Sequence, residues 1–300
     1  MKKNNEKVTR QKRNKRQRIM ATVVASISSV ALLTTATYAW FSLTNAAQVN
    51  QLTLKAGTTG SLLISNSATD GFSEAIDLEL PSDCCLRPLS TLNGTSFHKP
   101  IYGTDGVVES VNTTAITNTE MDKMVNKSEA NGGWIIKKTF YLKANTKSEL
   151  TQVGIKLLAP KNTESGTTIT NGKDANDKPT KGAEAIRISF TCNDVNNGIT
   201  TKIFEPNADA TFAEADADQA ELSGWSGIST IKQSANHLFM PKNGSTYTDY
   251  VSEELFRIPT NQAVEVTMYI WLEGADKECV NKIVGNAINA QIRFISEDMN

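Results

Sequence analysis

Residues 264–272 read Val-Glu-Val-Thr-Met-Tyr-Ile-Trp-Leu, and this stretch decides the fold class of the chain. Every second side chain from Val264 to Leu272 is aliphatic or Met. Successive side chains of a β-strand point to opposite faces, so the alternation predicts a strand with one buried face. Tyr269 and Trp271 lie on the other face, where they are candidate glycan contacts unless a loop covers them.

The same period of two recurs along the chain and predicts at least seven strands. Asn-Gly turns, such as Asn93-Gly94 and Asn197-Gly198, separate several of them. Many short strands with polar turns are typical of an all-β fold, here an antiparallel two-sheet sandwich of jelly-roll type. Helix is predicted only at 119–130 and 212–222, and the polar segment 161–182 is predicted to be a long exposed loop. The predicted strands are 49–56, 60–65, 134–142, 153–157, 186–192, 264–272 and 288–294.

The amino terminus has the charge pattern of an export signal. Residues 1–18 carry 9 Lys or Arg against one acidic residue, Glu6, and no charge follows from Ile19 to Phe41. Small residues at Thr37 and Ala39 predict a signal-peptidase cut between Ala39 and Trp40. Residues 1–39 are therefore predicted to be a leader and 40–300 an exported domain. Alternatively, the apolar run 19–41 stays uncut as a membrane anchor, with the domain outside.

The net charge of the chain after residue 18 limits which classes of molecule it could bind. Without residues 1–18 the chain holds 22 basic and 31 acidic residues, a net charge of −9. An acidic surface repels phosphate backbones, so nucleic acid is excluded as a partner. We expect an extracellular or cell-surface location, with copies of the chain, other surface or matrix proteins, or glycans as partners.

The residues around the predicted cut resemble those of a known family. Thr37-Tyr38-Ala39-Trp40-Phe41-Ser42 is followed by a polar stretch and then by Leu52-Thr53-Leu54-Lys55-Ala56-Gly57. This arrangement is similar to the start of the TasA/CalY (camelysin) family, bacterial secreted matrix-fibre proteins processed by a SipW-type signal peptidase. The resemblance covers about 20 residues and implies secretion and a structural role in an extracellular matrix, as in a biofilm. The four cysteines and the block 271–279 depart from the family pattern and look like a wider group of bacterial surface proteins.

Strand addition is the assembly mode that we expect for such a matrix protein. After cleavage, residues 40–51 could add as a strand to a neighbouring subunit, with apolar side chains filling pockets there. The alternative is that this segment packs on its own domain. The candidate assembly residues are Trp40, Phe41, Val49, Leu52 and Leu54.

The four cysteines predict a disulfide, because the exported compartment permits oxidation. Cys84 and Cys85 are adjacent, and a ring between neighbours strains the peptide bond. Cys192 and Cys279 are therefore the predicted pair, and buried reduced thiols are the alternative.

The sequence predicts neither catalytic residues nor a cofactor. His98 and His237 are the two histidines, and no His-Glu-x-x-His motif occurs. Oxygen ligands for calcium are conceivable at 193–197, at 214–221 and at Glu273, Asp276 and Glu278, but none has EF-hand spacing. Asx-Gly clusters such as 193–198 are more often hairpin turns, so no metal site is assigned.

Overall fold

A computed structural model describes 47–57, 61–80, 84–91, 93–102, 108–146, 150–158, 167–171, 182–208, 237–241, 254–274, 276, 279 and 287–297. All of these residues belong to the compact unit Asn45–Asn300, and the other unit, Met1–Thr44, lies outside them. The predicted leader 1–39, its cleavage site and the predicted helix at 212–222 are thus outside the described residues.

Strands dominate the described residues, with one short α-helix and two 3-10 turns, so the prediction of an all-β chain is confirmed. The helix α1 begins after Thr117, whose hydroxyl accepts from the amide of Glu120 while the Glu120 carboxylate accepts from the amide of Thr117. Such a reciprocal cap satisfies two amides that lack helical partners. The elements are β1 Ala47–Gly57, β2 Ser61–Ser65, β3 Ala75–Asp77, β4 Cys85–Leu86, β5 Pro88–Thr91, β6 Phe97–His98, β7 Pro100–Tyr102, β8 Val108–Val111, α1 Asn118–Met124, a 3-10 turn Glu129–Asn131, β9 Ile136–Asn145, β10 Gln152–Leu157, β11 Thr168–Asn171, a 3-10 turn Gly182–Ala185, β12 Ile186–Asp194, β13 Gly198–Ala208, β14 His237–Pro241, β15 Glu254–Pro259, β16 Ala263–Glu273 and β17 Ala287–Glu297.

The strands form two large sheets and one hairpin. The first sheet has the order β15-β10-β17-β1-β3, with β11 beside β17 and β4 beside β1. The second sheet has the order β14-β13-β12-β16-β5-β6, with β9 beside β16 and β2 beside β9. Strands β7 and β8 pair separately.

Both large sheets are mixed, so the prediction of purely antiparallel sheets is wrong. Parallel pairs join β1 to β17, β13 to β14 and β16 to β5. Side-chain alternation reports which face is buried but not the direction of the neighbouring strand, and for this reason the sequence could not distinguish the two cases.

The two sheets share one apolar core. Phe294 of β17, in the first sheet, contacts two rings of the second sheet: Phe140 of β9 at 5.5 Å and Phe190 of β12 at 5.4 Å between centroids. All three rings are fully buried. Alternating residues of β1, β10, β12, β16 and β17 fill the same core, as their sequence pattern predicts.

A smaller core lies on the opposite face of the second sheet. Trp271 of β16 and Ile203 of β13 pack there against Leu89, Phe97 and Ile135, which belong to the segment containing β5, β6 and α1. The second sheet is therefore buried on both faces around Trp271.

Two local predictions are corrected by the structure. Residues 168–171, predicted to lie in a loop, form β11, which is paired with β17, and Ile169 is buried in the main core. Pairing with β17 holds this short polar segment in the sheet. The segment has a single aliphatic side chain, so its sequence shows no alternation that would predict a strand. The helix predicted at 119–130 ends at Met124 and is followed by a separate 3-10 turn.

Replacing Phe294 by Ala tests the shared core. We expect the free energy of unfolding to fall by about 3–5 kcal/mol, since the cavity opens between both sheets. Urea denaturation followed by tryptophan fluorescence measures the change. Ile199, which is 83% exposed, provides the control, and Ile199→Ala should change stability by less than about 0.5 kcal/mol. Equal effects of the two substitutions would contradict the shared core.

Candidate functional site

The predicted assembly strand is built into the first sheet of its own chain. Strand β1 pairs in parallel with β17 from Gln48 to Gly57 and lies antiparallel to β3 and β4 on its other side. Leu52 and Leu54 are buried in the main core. Beyond the ladder, the Leu52 carbonyl accepts from the amide of Leu78 at 3.0 Å. An interior strand of this kind is fully engaged within the subunit.

This position agrees with the sequence-based alternative, and association between subunits stays a prediction. The backbone of Val49, like those of Leu52 and Leu54, is paired within the chain, so these residues do not form a free strand. The sequence-based alternative, packing on the same domain, holds for the described part of β1. The sequence alone could not say which subunit supplies the pocket for Leu52 and Leu54. Trp40 and Phe41 lie outside the described residues.

The candidate glycan face is covered at Trp271. Trp271 is fully buried, its indole N–H donates to Glu273 Oε2 at 3.0 Å, and its ring meets Phe97 at 5.2 Å between centroids. Trp271 is thus not a glycan contact, because the segment carrying β5 and β6 lies over it. Tyr269 is half-buried: its ring meets Phe97 at 5.3 Å, and the ammonium group of Lys137 lies 5.4 Å from its centroid.

Next to Trp271 lies a buried ionic cluster that the sequence analysis did not find. Arg187 Nη2 contacts Glu205 Oε1 at 2.8 Å and Asp276 Oδ2 at 2.7 Å. All three side chains are almost completely buried. Arg187 and Trp271 are directly paired across β12 and β16, which places the guanidinium on the covered face.

The charge state of Arg187 follows from its neighbours. Burial alone lowers the pKa of Arg187, but the carboxylates of Glu205, Asp276 and Glu273 outweigh it and raise the pKa above its ordinary value. Arg187 therefore stays protonated and ties β12 to β13 and to Asp276, which follows β16. One signal in the sequence could have found it: a charged residue between Ile186 and Ile188, on the same face as Tyr269 and Trp271 of the paired strand.

All four cysteines are free thiols, so the predicted Cys192–Cys279 disulfide is not formed. Cys279 lies close to Asp276, whose carbonyl accepts from the Cys279 amide, and Asp276 contacts Arg187 at the start of β12. Cys192 lies five residues beyond Arg187 in β12, about 17 Å from Arg187 at the usual rise per residue. A disulfide requires Cα atoms within roughly 7 Å. The alternative of buried reduced thiols describes the structure.

Burial makes these thiols poor nucleophiles. It raises the pKa of Cys84 to about 11 and, with help from the carboxylate of Asp194, that of Cys192 to about 12. The pKa of Cys279 is also raised, by burial and then by Asp276 and Glu273. Since the thiolate is the reactive form, none of the three is activated for nucleophilic chemistry.

The first calcium candidate is a hairpin turn. Asp194 Oδ1 accepts from the amides of Asn196 at 2.8 Å and Asn197 at 2.7 Å, and Gly198 follows with φ +71°. The second oxygen, Oδ2, accepts from the amide of Arg257 in β15 at 2.6 Å. The carboxylate is thus engaged by three amides of the chain itself, as expected for an Asx turn.

The other candidate ligands do not converge either. Glu273 and Asp276 belong to the ionic cluster of Arg187, while Glu278 and 214–221 lie outside the described residues. Over the described ranges no three His, Cys, Asp or Glu side chains are grouped to hold a metal ion. His98 Nδ1 is hydrogen-bonded to the Asn112 carbonyl at 2.8 Å, and His237 lies in β14.

Within the part of the chain that the structure describes, no helix is long and apolar enough to cross a membrane, and the apolar run 19–41 lies outside that part. The chain matches no family model, no curated protein and no solved structure. The TasA/CalY resemblance therefore stays a prediction from residues 37–57.

The raised pKa of the buried Cys192 thiol implies a specific pH dependence of the free energy of unfolding. In the folded chain the Cys192 thiol retains its proton up to about pH 12, whereas in the unfolded chain the thiol releases its proton near the ordinary pKa of 9.0. The stabilisation is complete below pH 9 and is lost as the pH rises towards 12, by up to about 1.4 kcal/mol per pH unit. Cys192→Ala should therefore lose less stability than the parent between about pH 8.5 and pH 10.5.

Urea denaturation with a reductant present, at both pH values, measures these slopes. Other titrating groups contribute equally to parent and variant, so the difference isolates Cys192. Identical slopes would show that the Cys192 thiol is not buried in the protonated form.

Proposed function

We propose that this chain is an exported structural or adhesive protein of the bacterial cell surface or extracellular matrix, with a jelly-roll-type sandwich as its working domain. Subunits associate by exchanging β1. The basic and apolar segments of 1–41 support export, and the motif at 37–42 supports the signal-peptidase route. The acidic charge of the remaining chain favours solubility outside the cell.

The observation that carries the assembly proposal is the position of β1. It is the first described strand, yet it lies inside the first sheet between β17 and the pair β3 and β4. The following residues, Gly57-Thr58-Thr59-Gly60, precede β2, which belongs to the second sheet. Glycine tolerates backbone conformations that other residues rarely adopt, so the sequence of this link is compatible with the change of direction that strand exchange requires.

Exchange of β1 recreates every contact of the subunit in trans. A neighbouring β1 would bury its own Leu52 and Leu54 in the same core and form the same parallel ladder with β17. Because the contacts are identical, the exchanged form costs mainly hinge strain and association entropy. A head-to-tail exchange generates an open chain of subunits, which is a fibre.

Cysteine cross-linking between β1 and β17 tests the exchange directly. Thr53 and Gln291 are register partners across these strands, at the spacing of a parallel pair. Two single variants of the chain starting at Trp40, Thr53→Cys and Gln291→Cys, are mixed, allowed to assemble and oxidised. We expect cross-linked dimers on a denaturing gel, because an exchanged β1 brings the two new cysteines together from different subunits.

The matched control uses a pair from a ladder that exchange leaves intact. Thr139 of β9 and Thr267 of β16 are register partners within one subunit. Mixed Thr139→Cys and Thr267→Cys variants should give no dimer above the background of the parent chain. Filaments by electron microscopy without the Thr53–Gln291 cross-link would refute β1 exchange, and the absence of any assembly would refute the structural role.

Export is tested separately from assembly. Expression of the full chain in a Gram-positive host with the matching peptidase should yield a secreted product whose amino-terminal sequencing starts at Trp40. An intact leader on the membrane fraction would support the anchored alternative through 19–41. Recovery of the whole chain in the cytosol would contradict an extracellular function.

A further inference from the structure

We propose that the hairpin joining β12 and β13 is a latch that closes the outer edge of the first sheet at β15 and prevents a second copy of this chain from pairing there. The inference concerns the edge strand β15 rather than the interior strand β1, and it does not rest on the proposed function. It rests on the hydrogen bonds that Asp194 makes to two parts of the fold.

Strand β15 ends the order of the first sheet. It pairs with β10, and its other side faces no strand in the part of the chain that the structure describes. Its side chains are strongly apolar on the core side: Leu255, Phe256 and Ile258 are fully buried. An apolar strand with an unpaired edge is a template for pairing with another chain, and native proteins usually protect such edges.

The latch engages the backbone of this edge at Arg257. The Arg257 amide donates to Asp194 Oδ2 at 2.6 Å, and the Arg257 carbonyl accepts from the Val195 amide at 3.1 Å. Both backbone groups of Arg257 are therefore turned away from β10 and are occupied by the hairpin. A second strand cannot form its ladder across Arg257 while these two bonds persist.

The same carboxylate makes the latch rigid. Asp194 Oδ1 closes the turn through the amides of Asn196 and Asn197, while Oδ2 holds the edge. Asp194 is almost fully buried, so its bonds are shielded from competing water. A single side chain thus couples the shape of the hairpin tip to the closure of the sheet.

A second feature protects the same edge. Pro259 lies two residues beyond Arg257 and therefore shares its backbone orientation within the strand. Proline has no amide to offer to an incoming strand and is typical of edge positions. Arg257, unlike Pro259, has an amide that an incoming strand could use. The latch occupies this amide and so protects the edge at Arg257.

The occupant that the latch excludes is β15 of a second copy. An antiparallel pairing of two such strands about Arg257 is self-complementary, because each copy offers the same amide and carbonyl. Release of the latch would consequently convert the first sheet of each subunit into half of a continuous two-subunit sheet.

The decisive variant is Asp194→Asn, tested with the β1 route closed. Thr53→Cys and Gln291→Cys are combined in one chain and oxidised as a purified monomer, which ties β1 to its own β17. In this background the carbonyl oxygen of the introduced amide side chain still accepts from the turn amides, whereas its NH₂ group cannot accept from Arg257. Amide exchange at Arg257 should become roughly 10- to 100-fold faster at low protein concentration, as expected for loss of a charge-assisted bond.

At higher concentration the Asp194→Asn chain should form a dimer in sedimentation experiments, while the stapled parent stays monomeric. Asn193→Ala, an exposed change on the same hairpin, is the control and should behave as the parent. Adding Arg257→Pro to Asp194→Asn removes the amide that the second copy would use and should abolish the dimer.

Each of the following results would overturn the latch. The first is unchanged exchange at Arg257 in Asp194→Asn, and the second is faster exchange without any dimer. The third is a dimer that survives Arg257→Pro, since this places the contact elsewhere. Amide protection in β12 and β16 is followed in every variant, and its loss in Asp194→Asn would assign Asp194 to global stability instead. None of these outcomes depends on β1 exchange, because the staple is present throughout.

Discussion

The carboxyl-terminal end of β16, Ile270 to Glu273, is buried on both faces, and this constraint shapes the rest of the domain. Its aliphatic side chains enter the core between the two sheets, whereas Trp271 requires a second cover on the opposite side. The segment with β5, β6 and α1 provides that cover and brings Leu89, Phe97 and Ile135 onto the indole. A simple sandwich with one solvated face thereby becomes a layered structure with a second, smaller core.

Burial of the second face has an electrostatic consequence. Arg187 and Glu205 occupy outward positions of β12 and β13, where solvent would normally hydrate them. Once the face is covered, their charges need partners inside the protein, and Asp276 completes the cluster from the chain after β16. The cluster positions this part of the chain against the sheet and supplies no reactive group, as the raised pKa values of the neighbouring thiol of Cys279 and of Arg187 also indicate.

The positions of β1 and β15 in the first sheet matter for how subunits of this domain would associate. Under the proposed exchange, β1 would make the same contacts whichever subunit provides it. The edge at β15 is different, because its backbone is occupied by Asp194 and Val195 at Arg257. A domain that exchanges one strand while protecting another edge would assemble in one direction only, which suits a fibre better than a lateral aggregate.

The sequence by itself determined the all-β class, most strand positions and their inward faces, since side-chain alternation is a local property of the backbone. It also determined that 193–198 forms a turn, because Asp and Asn side chains bond to nearby backbone amides and Gly tolerates positive φ. Only the tertiary structure decided the parallel pairing of β1 with β17, the cover over Trp271, the ionic cluster of Arg187 and the separation of Cys192 from Cys279. Each of these depends on which distant segments meet, and a periodic pattern encodes a face but not its partner.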